Sequence, residues 1–434
     1  MKETRFSRSI TPRGRALAAL MLAGALGLTA CAPQDGSGGE DSTDPITVGH
    51  LTPQTGAFAD VGPLLDGASA FAIDVINEDP PLGREFELIN QDMGTIGEAQ
   101  ASRLLVEREG VEILWGVAHE YLSYRDWLVS TVESAKGPLM PTVHGGAIPA
   151  KYGGSGEEPI FRGAPMDSGS AIAAVLHART GGAQSIAILA TEVEGSQLQK
   201  EAAVVAAEAL GMEVLSVLDV QPEQSSYRST VSSLPSGADA VLMFTQAQDG
   251  GTIVKQAAEA GLSLRFIGTQ EWMGKAFFDV ATPEAIAQHE EVAIASFTHA
   301  DSAAWTFFKE KWDASQYAEL ADAENSYAIQ FYDLLIVTAL AIEAAGTTDA
   351  GPWAEKMREV SMEPGTKVYT YQQGINALRN GEDIDYSGVT GEYDYNETAV
   401  VSGLFGIFAW TLEGKLERIA IIDDGEVLEL EATS

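Results

Sequence analysis

Three side chains, His119, Glu120 and His144, carry the donor types that bind metals or move protons. The run "HEYLS", 119–123, begins like the helical zinc-protease pattern H-E-x-x-H, which needs two imidazoles one turn apart on one helix face. The second position is Ser123, so the motif is incomplete. Metal-assisted hydrolysis is then left only to a convergence of His119, Glu120 and His144 in space. No G-x-x-x-x-G-K-[ST] is present to cradle nucleotide phosphates, and no G-x-S-x-G elbow presents a serine nucleophile. "GGSGEEP", 153–159, does not complete G-x-G-x-x-G and does not directly follow a strand, so it reads as a loop. The chain is expected to be no enzyme and to need no cofactor or metal.

A second set of residues falls just after apolar, β-branched runs, where ligands of open parallel sheets lie. These are Gln54 to Asp60, including Phe58; His119 and Glu120 after "VEILWGV"; and His144, Gly145 and Gly146 after "LMPTV". Further along they are Thr191 and Glu192, then Gln246 to Gln248, then Gln270, Glu271 and Trp272. Taken singly, each also fits a solvated loop. Together, amides and carboxylates from two blocks facing one cleft suit a small polar solute, with Trp272 against an aliphatic or cationic part of it or buried as a core indole. Glu120, Gln246 and Glu271 are expected to affect binding more than stability. His50, inside the strand "ITVGHL", reads as structural.

The elements that must position these groups alternate between strand and helix. "ITVGHL", "FELINQD" and "VEILWGV" each precede an amphipathic stretch, and so do "SIAILAT", "MEVLSVLDV", "ADAVLMFT" and "LRFIGT". Near-continuous apolar strands interleaved with helices predict parallel sheets covered on both faces. A Gly/Pro-rich interruption, "HGGAIPAKYGGSGEEP", separates two such blocks near residue 165, which predicts two doubly wound lobes. "SYAIQFYDLLIVTALAIEAAG", 326–346, is apolar, but Asp333 and Glu343 interrupt it, so it reads as a buried helix and not a membrane span. After it the pattern turns β-rich: "GEYDY", "GLFGIFAWTL", "KLERIAIID" and "EVLELE" are expected to add strands to one lobe.

The N-terminus departs from the rest. Basic residues at Lys2, Arg5, Arg8, Arg13 and Arg15 precede an apolar run, Ala16 to Ala30, that ends at the only cysteine, Cys31. A positive start, a short apolar core and a small-residue exit form a secretory signal. Leu28-Thr29-Ala30-Cys31 resembles the lipobox of bacterial lipoproteins, which predicts a signal peptide over 1–30 and acylation of Cys31. A lone thiol has no partner for a disulfide. The Gly/Ser/Asp-rich segment that follows, within 31–45, reads as a solvated tether. The formal net charge of -37 argues against nucleic-acid partners, whose phosphates such a surface repels.

Several stretches in order resemble the type I periplasmic binding proteins, specifically the leucine/isoleucine/valine-type solute-binding subunits of ABC transporters. They are "ITVGHLTPQTGAFADVGPLLDGASAFAIDVINE", "FELINQDMGTIGEAQASRLLVEREGVEILWGV", "SYRSTVSSLPSGADAVLM", "KQAAEAGLSLRFIGT", "YDLLIVTALAIEAAG", "IDYSGVTGEYDYNE" and "FGIFAWTLEGKL". The resemblance implies two lobes joined by three crossovers, placed near Ala164 to Ser168, Ser296 to Ala300 and Pro364 to Tyr369. The first lobe then holds 46–166 plus 299–366, and the second holds 167–298 plus 367–434. It further implies a monomer tethered outside the cell through Cys31, which delivers a small polar solute to membrane permease subunits. A ligand-sensing role toward a membrane signalling partner is the alternative. First-lobe loops of the family offer hydroxyls and backbone N–H groups to an amino acid's carboxylate. Here those loops read "GVAHEYLS" and "TVHGGAIP", with Glu120 and Gly146 where hydroxyls are expected. The acid that meets the ammonium falls at Gln270 or Glu271.

Overall fold

Three hydrophobic cores organise the described residues, one around a first set of parallel strands and one on each face of a second sheet. The computed structural model describes residues 43–431 apart from 57, 133–136, 150, 402 and 423. The expected signal peptide, Cys31 and the expected tether up to Ser42 lie outside the described residues.

The first lobe runs β1 (Ile46–Thr52), α1 (Gly62–Asn77), β2 (Phe86–Asp92), α2 (Glu98–Arg103), β3 (Ile113–Trp115), α3 (Tyr121–Thr131), β4 (Met140–Thr142) and β5 (Ile160–Arg162). β2, β1 and β3 form one parallel sheet and β4 and β5 another, and a parallel bridge from Ile113 to Leu139 links them. The combined order is 2-1-3-4-5. The second lobe follows with α4 (Asp167–Thr180), β6 (Ser185–Thr191), α5 (Glu194–Ala209), β7 (Glu213–Val220), α6 (Arg228–Ser233), β8 (Ala240–Phe244), α7 (Ala247–Glu259), β9 (Arg265–Gly268), α8 (Lys275–Ala281), α9 (Pro283–Ile286) and β10 (Glu291–Phe297). Its parallel strands repeat that order as β7-β6-β8-β9-β10.

Both faces of the second sheet are covered, as its apolar runs require. In β6, Ile186, Ile188 and Ala190 enter one core cluster while Ala187 and Leu189 enter the other, the alternation that a pleated strand imposes.

The chain then returns to the first lobe with α10 (Ala303–Asp313), α11 (Ser326–Ala345) and α12 (Ala350–Glu359). α11 is long and apolar enough to cross a membrane, but it is buried inside the fold on nearly every side. Asn325 caps it by accepting the N–H of Tyr327 at 3.0 Å, and Gly346 ends it in the left-handed conformation.

Next come β11 (Thr366–Val368), α13 (Tyr371–Arg379), β12 (Ile384–Gly388) and β13 (Gly391–Glu392), then β14 (Phe405–Trp410), β15 (Leu416–Ile422) and α14 (Asp424–Glu431). β14 joins the second sheet antiparallel to β10 and β15 pairs antiparallel to β14 at the edge, so the tail does add strands.

Three expectations about this tail need correction. Residues 367–401 do not join the second lobe: Val368, Tyr371, Ile375, Ile384, Tyr386 and Val389 bury their side chains in the first core. The buried carboxylate of Asp333 in α11 holds them there, accepting from Tyr386 Oη at 2.7 Å, Val389 N at 2.9 Å and both the N–H and hydroxyl of Thr390 at 2.8 and 2.9 Å. The third crossing therefore lies between Val401, in the first core, and Phe405, in the second, and not at Pro364 to Tyr369. "EVLELE" is the end of α14 and not a strand. Val427 and Leu430, three apart, face the second core while Leu428 is exposed, which is a helical spacing. "GEYDY" contributes only the two residues of β13.

Candidate functional site

The carboxyl ends of seven strands meet at one cavity of about 80 Å³, counted by where the centre of a water fits. Such ends, at the points where strand order reverses, are where open α/β sheets take ligands. In the first lobe, β1 leads to Phe58, Val61 and Leu65, β3 to His119 and β4 to Val143 and His144; α11 adds Tyr327 and Gln330. From the second lobe, β6 leads to Ser196, β8 to Gln246, β9 to Gln270 and Glu271, and β10 to Phe297. Asp167, where the chain first crosses, completes the wall.

The first-lobe side is an apolar strip interrupted by imidazole, phenol and amide groups. Phe58 and the His119 imidazole stack with centroids 6.3 Å apart. His144 packs edge-on against Phe331 at 5.4 Å. Burial, with the nearby His119 and His50, pushes His144 down to about 3, so it is a neutral imidazole. Three buried atoms on this side have no partner: His119 Nδ1, His144 Nε2 and Gln330 Nε2. Buried polar atoms in folded proteins are nearly always hydrogen-bonded, so these three are available to a polar group that enters the cavity.

The second-lobe side carries two carboxylates among hydroxyl and amide groups. The Thr191 hydroxyl is 2.9 Å from Gln246 Oε1 and 3.1 Å from Ser196 Oγ, fixing both from one layer behind the cavity. Thr269 donates to Glu271 Oε2 at 2.7 Å. Burial raises the Glu271 carboxyl to about 7, with repulsion from Asp167 adding to the shift and His119 opposing it. Burial brings Asp167 to about 7. Gln270 Oε1 is buried and has no partner. Among the described residues no Lys or Arg lines the cavity.

Phe58, His119, His144, Gln246, Gln270 and Glu271 thus all reach the cavity, while five other candidates do not. Glu120 is exposed and turned away: its Oε2 accepts the Glu98 N–H at 3.0 Å while Glu98 accepts the Glu120 N–H at 2.9 Å. This exchange ties the starts of α2 and α3 together and consumes the carboxylate. Trp272 is wholly buried, stacked on Phe277 at 4.4 Å and donating to Thr245 Oγ1 at 3.1 Å. Its indole fits because Gly268 and Gly250 lie beneath it, where a Cβ would come within 2.3 Å of the ring. Gly145 is packed under Arg162, whose Nε donates to its carbonyl at 3.1 Å. Gly146 abuts Asp167, and Thr191 supports without lining. His50 is fully buried beside Asp66, 3.2 Å away, and stays outside the cavity.

Sequence reasoning did not single out Asp167, Ser196, Tyr327 or Gln330 as site residues. Gln330 was detectable as a lone amide in an apolar helical run, and Asp167 as a carboxylate inside the expected first crossing. With Glu120 turned away, His119 and His144 gain no third ligand. No group of three or more His, Cys, Asp or Glu among the described residues is arranged to hold a metal ion.

The model of the periplasmic binding protein family matches residues 45–375. No curated protein matches the sequence. Among solved structures, the leucine-binding protein LivK of Thermotoga maritima is similar at 18% identity and TM-score 0.69, covering 87% of this chain and 99% of that one. LivJ of Streptococcus pneumoniae, in complex with isoleucine, is similar at 17% identity and TM-score 0.67, again over 87% and 99% of the two chains. A solute-binding protein of an ABC transporter from R. palustris, in complex with benzoate, aligns at 14% identity and TM-score 0.68 over 87% and 96%.

Proposed function

The chain belongs to the periplasmic binding protein family, and on that premise we propose that it is the solute-binding subunit of an ABC importer, closing its lobes on a small amino-acid-like solute. The observation that carries this reading is the two-sided cavity, with unpartnered imidazole and amide nitrogens on the first-lobe wall and carboxylates on the second. A molecule with a carboxylate at one end and an ammonium at the other satisfies both walls at once. Val61, Leu65, Met93 and Val143 provide an apolar strip for its hydrocarbon part. A purely anionic solute such as an aromatic acid would meet Asp167 and Glu271 with no Lys or Arg beside them. Hinge motion at the three crossings opens and closes the cleft.

The remaining parts of the reading rest on the N-terminal sequence. Acylation of Cys31 holds the protein at the outer face of a membrane, beside the permease subunits that receive its cargo, and the protein acts as a monomer. In the native host, Cys31→Ser should shift it from the membrane fraction to the soluble one.

The binding claim is tested by mass spectrometry of small molecules released from the purified protein, followed by melting curves with each candidate. A solute bound by the folded state alone raises the melting temperature by mass action. An amine-bearing solute that is released and also stabilises the protein is the expected result. No shift across amino acids, amides, polyamines and small organic acids would defeat the proposal.

A further inference from the structure

This inference rests on the cavity being the solute site, and it concerns what the solute must carry. Asp167 is the first residue of α4 and shares the cavity with Glu271. Among the described residues its carboxylate has no hydrogen-bond partner and no Lys or Arg beside it; burial raises it, and Glu271 repels it across the cavity. It sits in a slot of bare backbone, where a Cβ on Gly146 would lie 2.2 Å from Oδ1 and one on Gly195 3.5 Å from Oδ2. The amino end of α4 contributes some positive potential. That potential does not offset burial, because the carboxyl remains near 7. A third acceptor, Gln270 Oε1, is 95% buried by residue exposure (5% exposed), has no partner and belongs to the same wall.

Two half-buried carboxylates beside a buried, orphaned amide oxygen, with no Lys or Arg lining the cavity among the described residues, are costly to keep charged unless cations arrive from outside. One ammonium neutralises one of the acids and leaves the other to hold a proton. Two positive nitrogens neutralise both. We propose that the solute is an α-amino acid bearing a second basic nitrogen on its side chain, with one nitrogen received by Glu271 and Gln270 and the other by Asp167. Its carboxylate then faces the unpartnered nitrogens His119 Nδ1, His144 Nε2 and Gln330 Nε2, the two imidazole nitrogens donating in the tautomer that carries the proton there. Its methylenes lie along Val61, Leu65 and Met93. Asp167 is the residue that distinguishes such a solute from a leucine-like one.

The test is titration calorimetry of the chain lacking residues 1–31 with L-ornithine, L-lysine, L-leucine and benzoate, in the unmodified sequence and in Asp167→Asn. A diamino acid should bind at least about tenfold tighter than leucine, and Asp167→Asn should shrink that preference by about tenfold, because the removed charge is enclosed. Leucine or benzoate equalling the diamino acids overturns the inference and leaves the solute-binding reading standing. The ranking in the unmodified protein decides even if the variant folds poorly, which its melting curve reveals. No binding by any solute, here and in the broader melting screen, defeats the solute-binding reading itself.

Discussion

The polar groups on the first-lobe wall of the cavity are His119, His144, Tyr327 and Gln330, whereas those on the second-lobe wall are Asp167, Ser196, Gln246, Gln270 and Glu271. One wall offers imidazole and amide nitrogens set in an apolar strip, and the other offers carboxylates and an amide oxygen. Burial acts on both and moves their ionisation in opposite directions: His144 is pushed down to about 3, and Asp167 and Glu271 are pushed up to about 7. Each wall alone is an unsatisfied surface. The contrast teaches that the guest's polarity is written across the cleft, so a correctly oriented molecule stabilises closure and a reversed one does not.

Abolishing the acceptor wall is the strongest way to break this contrast. Glu271→Gln keeps the shape but removes a charge enclosed opposite a ligand ammonium, and affinity for the released solute should fall by about 100-fold, or ~2.7 kcal/mol. Calorimetry reads it directly, and a change below about threefold would mean that the carboxylate does not face the ligand.

Acid should act in the same direction with a smaller effect. A cation needs the carboxylates ionised, and protons compete below about pH 7, so affinity should drop by about tenfold or more between pH 8 and pH 5. The empty protein behaves oppositely. A carboxyl whose folded pKa is raised adds stability below its ordinary value near 4.5 and loses it as pH rises through about 7. Glu271→Gln, permanently neutral, should therefore melt above the unmodified protein at pH 8, with the gap closing by pH 4. A constant gap would contradict the assignment.

On the donor wall, Gln330→Met removes an amide nitrogen that has no partner in the protein. Affinity should fall by about fivefold with little loss of stability, since only the ligand's hydrogen bond is forfeited. The smallest effect on binding is expected of Glu120→Ala. It should cost about 1 kcal/mol in denaturant unfolding by uncapping α2 while leaving affinity within about twofold.

How legible each wall was in the sequence follows from where its residues sit. Strand-end groups were readable because the apolar runs of β3, β4, β8 and β9 end abruptly, and their next polar residues must emerge at the sheet's edge. His119, His144, Gln246, Gln270 and Glu271 all followed from that rule. Tyr327 and Gln330 did not, because α11 is buried all around and no hydrophobic face shows which side looks into the cleft. Glu120 and Trp272 satisfied the same rule and still left the cavity, each captured by a local partner: Glu98 for the carboxylate, and the bare backbone of Gly250 and Gly268 for the indole. The third crossing was misplaced because 366–401 carries strand-like runs whose destination is set by one distant carboxylate, Asp333. Local pattern holds no information about that contact.

The most direct test of the central claim is a crystal structure of the protein with the solute that raises its melting temperature most. The account predicts one molecule in the interlobe cavity, its basic nitrogen against Glu271 and its acceptor end against His119, His144 and Gln330. A solute seated elsewhere, or turned end for end with its acceptor group on Glu271, would contradict it.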